Sequence, residues 1–480
     1  MRLGAGAAWL GGCTLASQFL LLGTLPLIAR LFGPEQFGIY TLFVGVLTVV
    51  GVLVGLRYES AAVVAADDHS AAGLVVVVLL TGVAMALLTL LVDLAMRLGW
   101  PDLAAELGIE GLGVALALAL LATAIQRAVV AWATRQGWFR LLGMSQLAFN
   151  VLMVAGQLGG ATLFAASARM LAWSHAAALA LSGTVAFAIA FAGRHRLLLH
   201  SLSPRQLMAL ATRFRRFPAF MILYGLMSTL RERGTQLMLG AVGGVDVLGR
   251  FALAWRVTGA PNSLMYAALG PSFFAAAARG SPAGNEQLAV QLVRFSLVLL
   301  VPAFVFLAVE APTLTVWLFG EQWGPSGRMM TLLAVPMLVL AATGWLDRLF
   351  DVYQQQASAL ALEAGFTALV AVTFALALRL NPTGDAAIAV FAAVSAIYYH
   401  VYVWVAFRRA GLSVTGVARL AAAGWLGALA YAALAAWCAG HLPFAVRVLA
   451  LLCVQCLALG FWLLRADGWR LLRGSLREHQ

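Results

Sequence analysis

Apolar runs of about 20 residues follow one another along nearly the whole chain, each long enough to cross roughly 30 Å of hydrocarbon as a helix. Fourteen are legible, over residues 8–31, 37–56, 71–96, 112–131, 143–165, 170–193, 217–241, 247–275, 288–309, 329–350, 357–379, 385–407, 418–439 and 443–464. No soluble packing scheme accommodates so many fully apolar segments. Composition agrees: 63% of the residues are hydrophobic and 10% charged, and the mean hydropathy is +0.93. The expected fold class is therefore an all-α polytopic membrane protein with about 14 transmembrane helices.

The formal net charge of +12 is carried by arginine, because the sequence contains no lysine. That excludes a Walker-A phosphate loop and lysine imine chemistry, both of which need the amine. The basic excess does not point to nucleic acid, since its placement follows topology. Arg194, Arg196, Arg205, Arg213, Arg215 and Arg216 crowd one connection, Arg135 and Arg140 another, Arg408 and Arg409 a third, and Arg465, Arg470, Arg473 and Arg477 the tail. With fourteen spans these share a side with Arg2, while Glu35, Asp246, Glu310, Glu321 and Asp385 fall opposite. The asymmetry places both termini in the cytoplasm. Cys13, Cys438, Cys453 and Cys456 all lie in apolar segments, and neither a metal nor a cofactor is expected.

The chain also repeats itself. "FGPEQFGIYTL" (32–42) and "VGGVDVLGRFAL" (242–253) share Gly, four residues, Gly, one residue, an aromatic, one residue, Leu. Gly33 aligns with Gly244, Gly38 with Gly249, Tyr40 with Phe251 and Leu42 with Leu253. The glycines are expected to reverse a tight outer turn, and the aromatic to settle at the membrane interface. Six spans separate the copies, so both lie on one side, as a parallel repeat requires. The organisation expected is a six-helix lobe over 1–200, a second over 201–410, and two further helices with a basic tail over 411–480. In such transporters the substrate site lies at the lobe interface.

Charge inside the membrane marks candidate site residues. In "YGLMSTLRERGTQLMLGAVGG" (224–244), Tyr224, Ser228, Arg231, Glu232 and Thr235 cluster on one helical face, with Arg233 at its edge. An arginine facing lipid at mid-depth costs roughly 3 kcal/mol or more, so this arc should face protein or water. Gln146, Asn150 and Gln157 line one face of the fifth span. Thr123, Arg127 and Thr134 line the fourth, with Gln126 beside them. Thr14, Ser17, Gln18 and Thr24 share a face of the first span, and Arg256 lies within the eighth. Arginines, amides and hydroxyls with few carboxylates suit an anionic, hydroxyl-rich ligand. For the fifth-span amides, simple helix-to-helix bonding is an equal alternative. Pro26 and Pro261, each in the opening helices of a lobe, are candidate hinges, with helix shaping as the alternative.

"IARLFGPEQFGIYTLF", "RYESAAVVAADD" (57–68), "LGRFALAWRVTGAPNSLMYAALGPSFFAAAAR" (248–279) and "LFGEQWGPSGRMMTLLAVPMLV" (318–339) resemble, in wording and order, the polysaccharide transporter family. That family contains oligosaccharide flippases and belongs to the multidrug, oligosaccharidyl-lipid and polysaccharide exporter superfamily. The resemblance covers about residues 8–410. It implies a two-lobe protein of the bacterial inner membrane that turns over an undecaprenyl-diphosphate-linked oligosaccharide for O-antigen, capsule or exopolysaccharide assembly. Its partners would be that lipid-linked oligosaccharide, membrane lipids, a glycan polymerase and a chain-length regulator. No catalytic residue follows from the resemblance, and the protein is not expected to be an enzyme. The alternatives are a multidrug or cation antiporter of the same superfamily, needing a deep carboxylate such as Asp93 or Glu363, and a membrane glycan polymerase or ligase.

Overall fold

The computed structural model describes residues 2–99, 111–193, 195, 198, 202–381 and 384–464. At some helical positions, Arg231 and Glu232 among them, it describes the backbone alone. All regular structure among the described residues is helical: α1 (Arg2–Leu31), α2 (Pro34–Gly51), α3 (Tyr58–Val64), α4 (Asp68–Gly99), α5 (Leu112–Gln136), α6 (Phe139–Leu163), α7 (Ala168–Ala190), α8 (Pro204–Arg213), α9 (Arg216–Gly243), α10 (Val245–Ala277), α11 (Pro282–Phe319), α12 (Gly324–Thr343), α13 (Arg348–Val352), α14 (Gln356–Leu380), α15 (Asp385–Arg409), α16 (Val414–His441) and α17 (Phe444–Leu464). A helix lies over each apolar run read from the sequence. Eleven helical segments among the described residues are long and apolar enough to cross a membrane. The expectation of fourteen spans extends that set to α9, α10 and α17.

The chain forms two compact units, Met1–Ala252 and Leu253–Gln480. In the first, α4 packs on α5, α5 on α7, α1 on α6, α6 on α7, and α9 on α2. Small side chains dominate these contacts because helices in lipid associate by close backbone approach rather than by apolar burial. On α5, Ala115, Ala119, Ala124 and Ala128 are all 0% exposed. Opposite them, a Cβ placed on Gly82 of α4 would stand 2.2 Å from the Ala124 methyl.

The repeated glycines do not have the single turn role expected of them. Gly33 and Gly244 do occupy the turns that precede α2 and α10. Gly38 and Gly249, however, lie inside the helices and face each other. A Cβ at Gly38 would stand 1.7 Å from the Val245 carbonyl oxygen, and one at Gly249 would stand 1.8 Å from that of Pro34. The first turns of α2 and α10 thus cross backbone to backbone, each glycine against the other helix's opening residue. The aromatics likewise go inward rather than to the interface: Tyr40 is 8% exposed, with its hydroxyl 2.9 Å from His175 Nδ1, and Phe251 is 0% exposed. With the helix starts so close, the rings two residues on have no route to the membrane surface.

In the second unit α11 is the long central element, packed on α12, α16 and α17, while α12 and α14 pack on α15. A core of Phe273, Trp345, Phe350 and Phe407 fills it, with the Trp345 indole N–H donating to the Ala342 carbonyl at 3.0 Å. The C-terminal pair is tied down by charge. Arg447 of α17 donates from Nη2 to Glu310 Oε2 of α11 at 2.8 Å and from Nη1 to the carbonyls of Ala439 and Leu442. Its Nε lies 2.7 Å from Glu310 Oε1, an ion contact off the hydrogen-bond line. Deeper along α17, the Gln455 amide donates to the Leu299 carbonyl.

Two outcomes are expected. Gly38→Ala should force α2 and α10 apart and cost about 1–3 kcal/mol, lowering the thermal midpoint in detergent, whereas Gly11→Ala, with nothing within 4 Å of the new methyl, should leave it unchanged. Arg447→Ala strands a buried carboxylate and should cost about 3–5 kcal/mol. The paired change Arg447→Met with Glu310→Leu should recover much of that loss in the same melt.

Candidate functional site

The second apolar run does not end as a simple helix. After α2 the chain makes a short tight helical turn over Val54–Arg57, in which Gly55 (φ 78°), Leu56 (φ 47°) and Arg57 (φ 63°) are all left-handed, before α3 begins. Left-handed backbone costs a non-glycine residue about 1–2 kcal/mol, so Leu56 and Arg57 hold this shape because their surroundings impose it. Those surroundings come from three helices. The Thr81 hydroxyl of α4 accepts the Gly55 N–H at 3.1 Å. Arg127 of α5 donates from Nη1 to the Val54 carbonyl at 2.6 Å. Gly225 of α9 lies against the Arg57 guanidinium, where a Cβ would meet Nη2 at 2.0 Å. A helix can break at this depth only if the freed backbone groups find such substitutes.

The break gathers charge. Arg127 Nη1 also lies 3.3 Å from Glu59 Oε1, with 24% and 15% of the two side chains exposed. Glu59 Oε2 and Arg57 Nε are buried without a hydrogen-bond partner among the described residues. Among the described residues, two guanidiniums and one carboxylate gather at this break, a formal excess of one positive charge, and Arg57 Nε makes no hydrogen bond. Arg127 was expected from its stripe on the fourth span. Arg57 and Glu59 were not assigned a role from the sequence, although a charged pair in "RYES" at the end of an apolar run was the available signal.

The remaining candidates separate. On α9 Arg233 is half-buried, donating from Nη1 to Gln236 Oε1 at 3.1 Å while its Nε is buried without a hydrogen-bond partner among the described residues. It lies eight residues along α9 from Gly225, roughly 12 Å of helix. The Arg231 side chain lies outside the described residues. Gln146 accepts from the Thr14 hydroxyl of α1 at 3.4 Å, and Asn150, 6% exposed, donates back to the Gln146 carbonyl at 3.0 Å. Ser145 beside them bonds Gln126 of α5 at 3.1 Å. Gln157 is 3% exposed, Gln18 is half-buried on α1, and Arg256 is half-buried on α10. Hydroxyls of the stripes turn onto their own helices: Thr14 donates to Leu10, Thr24 to Leu20 and Thr123 to Ala119. Pro26 and Pro261 both lie inside helices, α1 and α10.

The second unit has its own break, from Gly344 to Gln355 after α12, with the opposite charge sign. There Tyr266 donates to Asp347 Oδ2 at 2.7 Å and accepts from Arg348 Nη2 at 2.7 Å. Arg348 also lies 3.4 Å from Asp351 and stacks over the Tyr266 and Phe274 rings at 5.4 and 5.9 Å. Arg348 makes hydrogen bonds to Asp351 and Tyr266, while Asp347 Oδ1 is buried without a hydrogen-bond partner among the described residues, so carboxylates rather than guanidiniums are in excess here.

Comparison places this fold among solved transporters. The lipid II flippase MurJ in an inward closed conformation superposes with a TM-score of 0.68 at 9% identity, over 95% of this chain and 98% of that one. A multidrug resistance MATE family transporter of the MOP superfamily, facing inward, gives 0.65 at 14% identity, over 82% and 94%. The chain thus has the fold of the MOP-superfamily transporters. Residues 27–328, more than half of its length, match the polysaccharide biosynthesis protein family, and the chain belongs to that family. No curated protein matches it in sequence.

Gly55→Ala would set a methyl 2.8 Å from Glu59 Oε2 in a left-handed conformation. It is expected to lower stability by about 1–2 kcal/mol, whereas Leu56→Gly relieves strain at its own position and should be neutral or stabilising. Thermal melts of the two variants in the same detergent check the contrast.

Proposed function

We propose that this protein is a flippase that moves an undecaprenyl-diphosphate-linked oligosaccharide across the bacterial inner membrane by alternating access, for O-antigen, capsule or exopolysaccharide biosynthesis. It works as two six-helix lobes, 1–200 and 201–410, with 411–480 appended and both termini cytoplasmic. The observation that carries this reading is the guanidinium capacity within the family-matched region: Arg57 Nε and Arg233 Nε are both buried without a hydrogen-bond partner among the described residues. A diphosphate offers acceptor oxygens that planar guanidiniums bind in pairs, and it has no need of a carboxylate. Gln18, Gln157, Asn150 and Arg256 join Arg233, Arg231 and Arg127 as residues for the head group, Gln146 positions α6 against α1, and Pro26 and Pro261 are the bending points. The family match supports a polysaccharide precursor as cargo, and the likeness of fold to a lipid II flippase supports a lipid carrier.

A second reading is a cation antiporter of the same superfamily, favoured by the free Oε2 of Glu59 beside Arg127. Asp93 is a weaker candidate for that role because Arg97 already holds it at 2.8 Å. A glycan polymerase and a chain-length regulator are the partners that would act downstream of a flippase.

Flipping of the host's own diphosphate-linked oligosaccharide in proteoliposomes, scored by protection from an external enzyme, separates the readings. The wild type should flip, and Arg233→Ala should slow the rate at least about tenfold, as expected when a charge-assisted contact to the cargo is lost. No flipping by the wild type, together with proton-driven export of a cationic dye that Glu59→Gln abolishes, would establish the antiporter instead.

A further inference from the structure

Between the sixth and seventh apolar runs, a ten-residue helix stands apart from the bundle helices in character. α8 opens with a complete capping box: the Ser203 hydroxyl accepts the Gln206 N–H at 3.4 Å, Gln206 Oε1 accepts the Ser203 N–H at 2.8 Å, and Pro204 takes the first helical position. Such a start lets a short segment hold helical shape at the edge of a membrane, where few neighbours support it.

Its two faces have different fates. Leu207, Leu210, Ala211 and Phe214 recur at helical spacing and are half-buried. Leu210, Leu207 and Leu202 close over Gly73 of α4, where a Cβ would stand 2.4 Å from Leu210 Cδ1. The Tyr58 hydroxyl donates to the Ala211 carbonyl at 2.9 Å. The helix is therefore docked at Gly73, five residues into α4 from Asp68 and so roughly 8 Å along it, near the end at which this apolar span begins. The outward stripe reads Arg205, Met208, Ala209, Thr212 and Arg215, with Arg213 beside it, and these residues line one open cleft. Met208 is 71% exposed. Among the described residues no carboxylate pairs with Arg205, Arg213 or Arg215.

We propose that this face of α8 is a docking surface for anionic phospholipid, binding the phosphodiester headgroup through Arg205, Arg213 and Arg215 while Met208 reaches the acyl boundary. Charge complementarity and depth both select that occupant. Three guanidiniums with no carboxylate partner among the described residues, Arg213 stacked over the Phe214 ring, attract the negative surface of an anionic leaflet, and an exposed thioether between them is stable where acyl chains begin. Because α8 is clamped to α3 and α4, bound lipid would also fix the connection leading into α9. The inference is independent of what the protein transports.

The test is hydrogen exchange of amides 205–215 in the full-length protein, held in nanodiscs of phosphatidylcholine alone or mixed with phosphatidylglycerol. Exchange should slow about tenfold in the anionic discs. The difference should vanish in the triple variant Arg205→Gln, Arg213→Gln, Arg215→Gln, and for the wild type at about 0.5 M salt. Equal exchange of the wild type in both discs, or a slowing that survives both the triple variant and salt, would overturn the proposal, the first pointing to a protein partner or to none.

Discussion

The bond from Arg127 to the Val54 carbonyl is the point on which the break after α2 depends. In hydrocarbon a freed carbonyl has no water to turn to, so α2 can stop where it does only because a guanidinium from α5 and a hydroxyl from α4 replace the missing helical partners. That replacement sets three left-handed residues in a row and swings Arg57 and Glu59 into the interior. It also ties three helices of the first unit to one point, so their positions and the charge of the pocket are specified together.

The two helix breaks show how similar local devices reach different electrostatics. Beside α2, Arg127 pairs with Glu59, while Arg57 Nε and Glu59 Oε2 have no hydrogen-bond partner among the described residues. After α12, Arg348 is bracketed by Asp347, Asp351 and Tyr266. A cluster whose one guanidinium is outnumbered by carboxylates is suited to holding a bend, whereas one with guanidiniums in excess among the described residues is suited to meeting an anion. Retaining a buried, incompletely paired guanidinium is costly in a membrane, which sets the first break and Arg233 apart from the amide stripes.

Much was legible in the sequence because lipid imposes a simple rule: long apolar runs become helices, and helices appear over every run read. The glycine repeat was legible too, but its purpose was not. Spacing alone cannot tell a turn glycine from one that admits a neighbouring backbone, and Gly38 and Gly249 proved to be the second kind. The polar stripes were found at the right positions, yet many of their groups are used up locally: Thr14, Thr24 and Thr123 bond their own helices, and Gln146 and Asn150 bond α1 and α6. A helical wheel shows direction, not whether a hydroxyl has already found an acceptor four residues back.

The sequence by itself determined that the chain is an α-helical membrane protein of the polysaccharide-transporter type, with a basic, lysine-free set of buried charges and an internal repeat. Those properties depend on composition and local periodicity, which act within one segment. Only the tertiary structure decided which charges neutralise each other, because Arg127 and Glu59 lie 68 residues apart and Glu310 and Arg447 lie 137 apart. Pairing at such separations is settled by how helices pack, and in lipid that packing follows glycine and alanine contacts whose partners no single segment reveals.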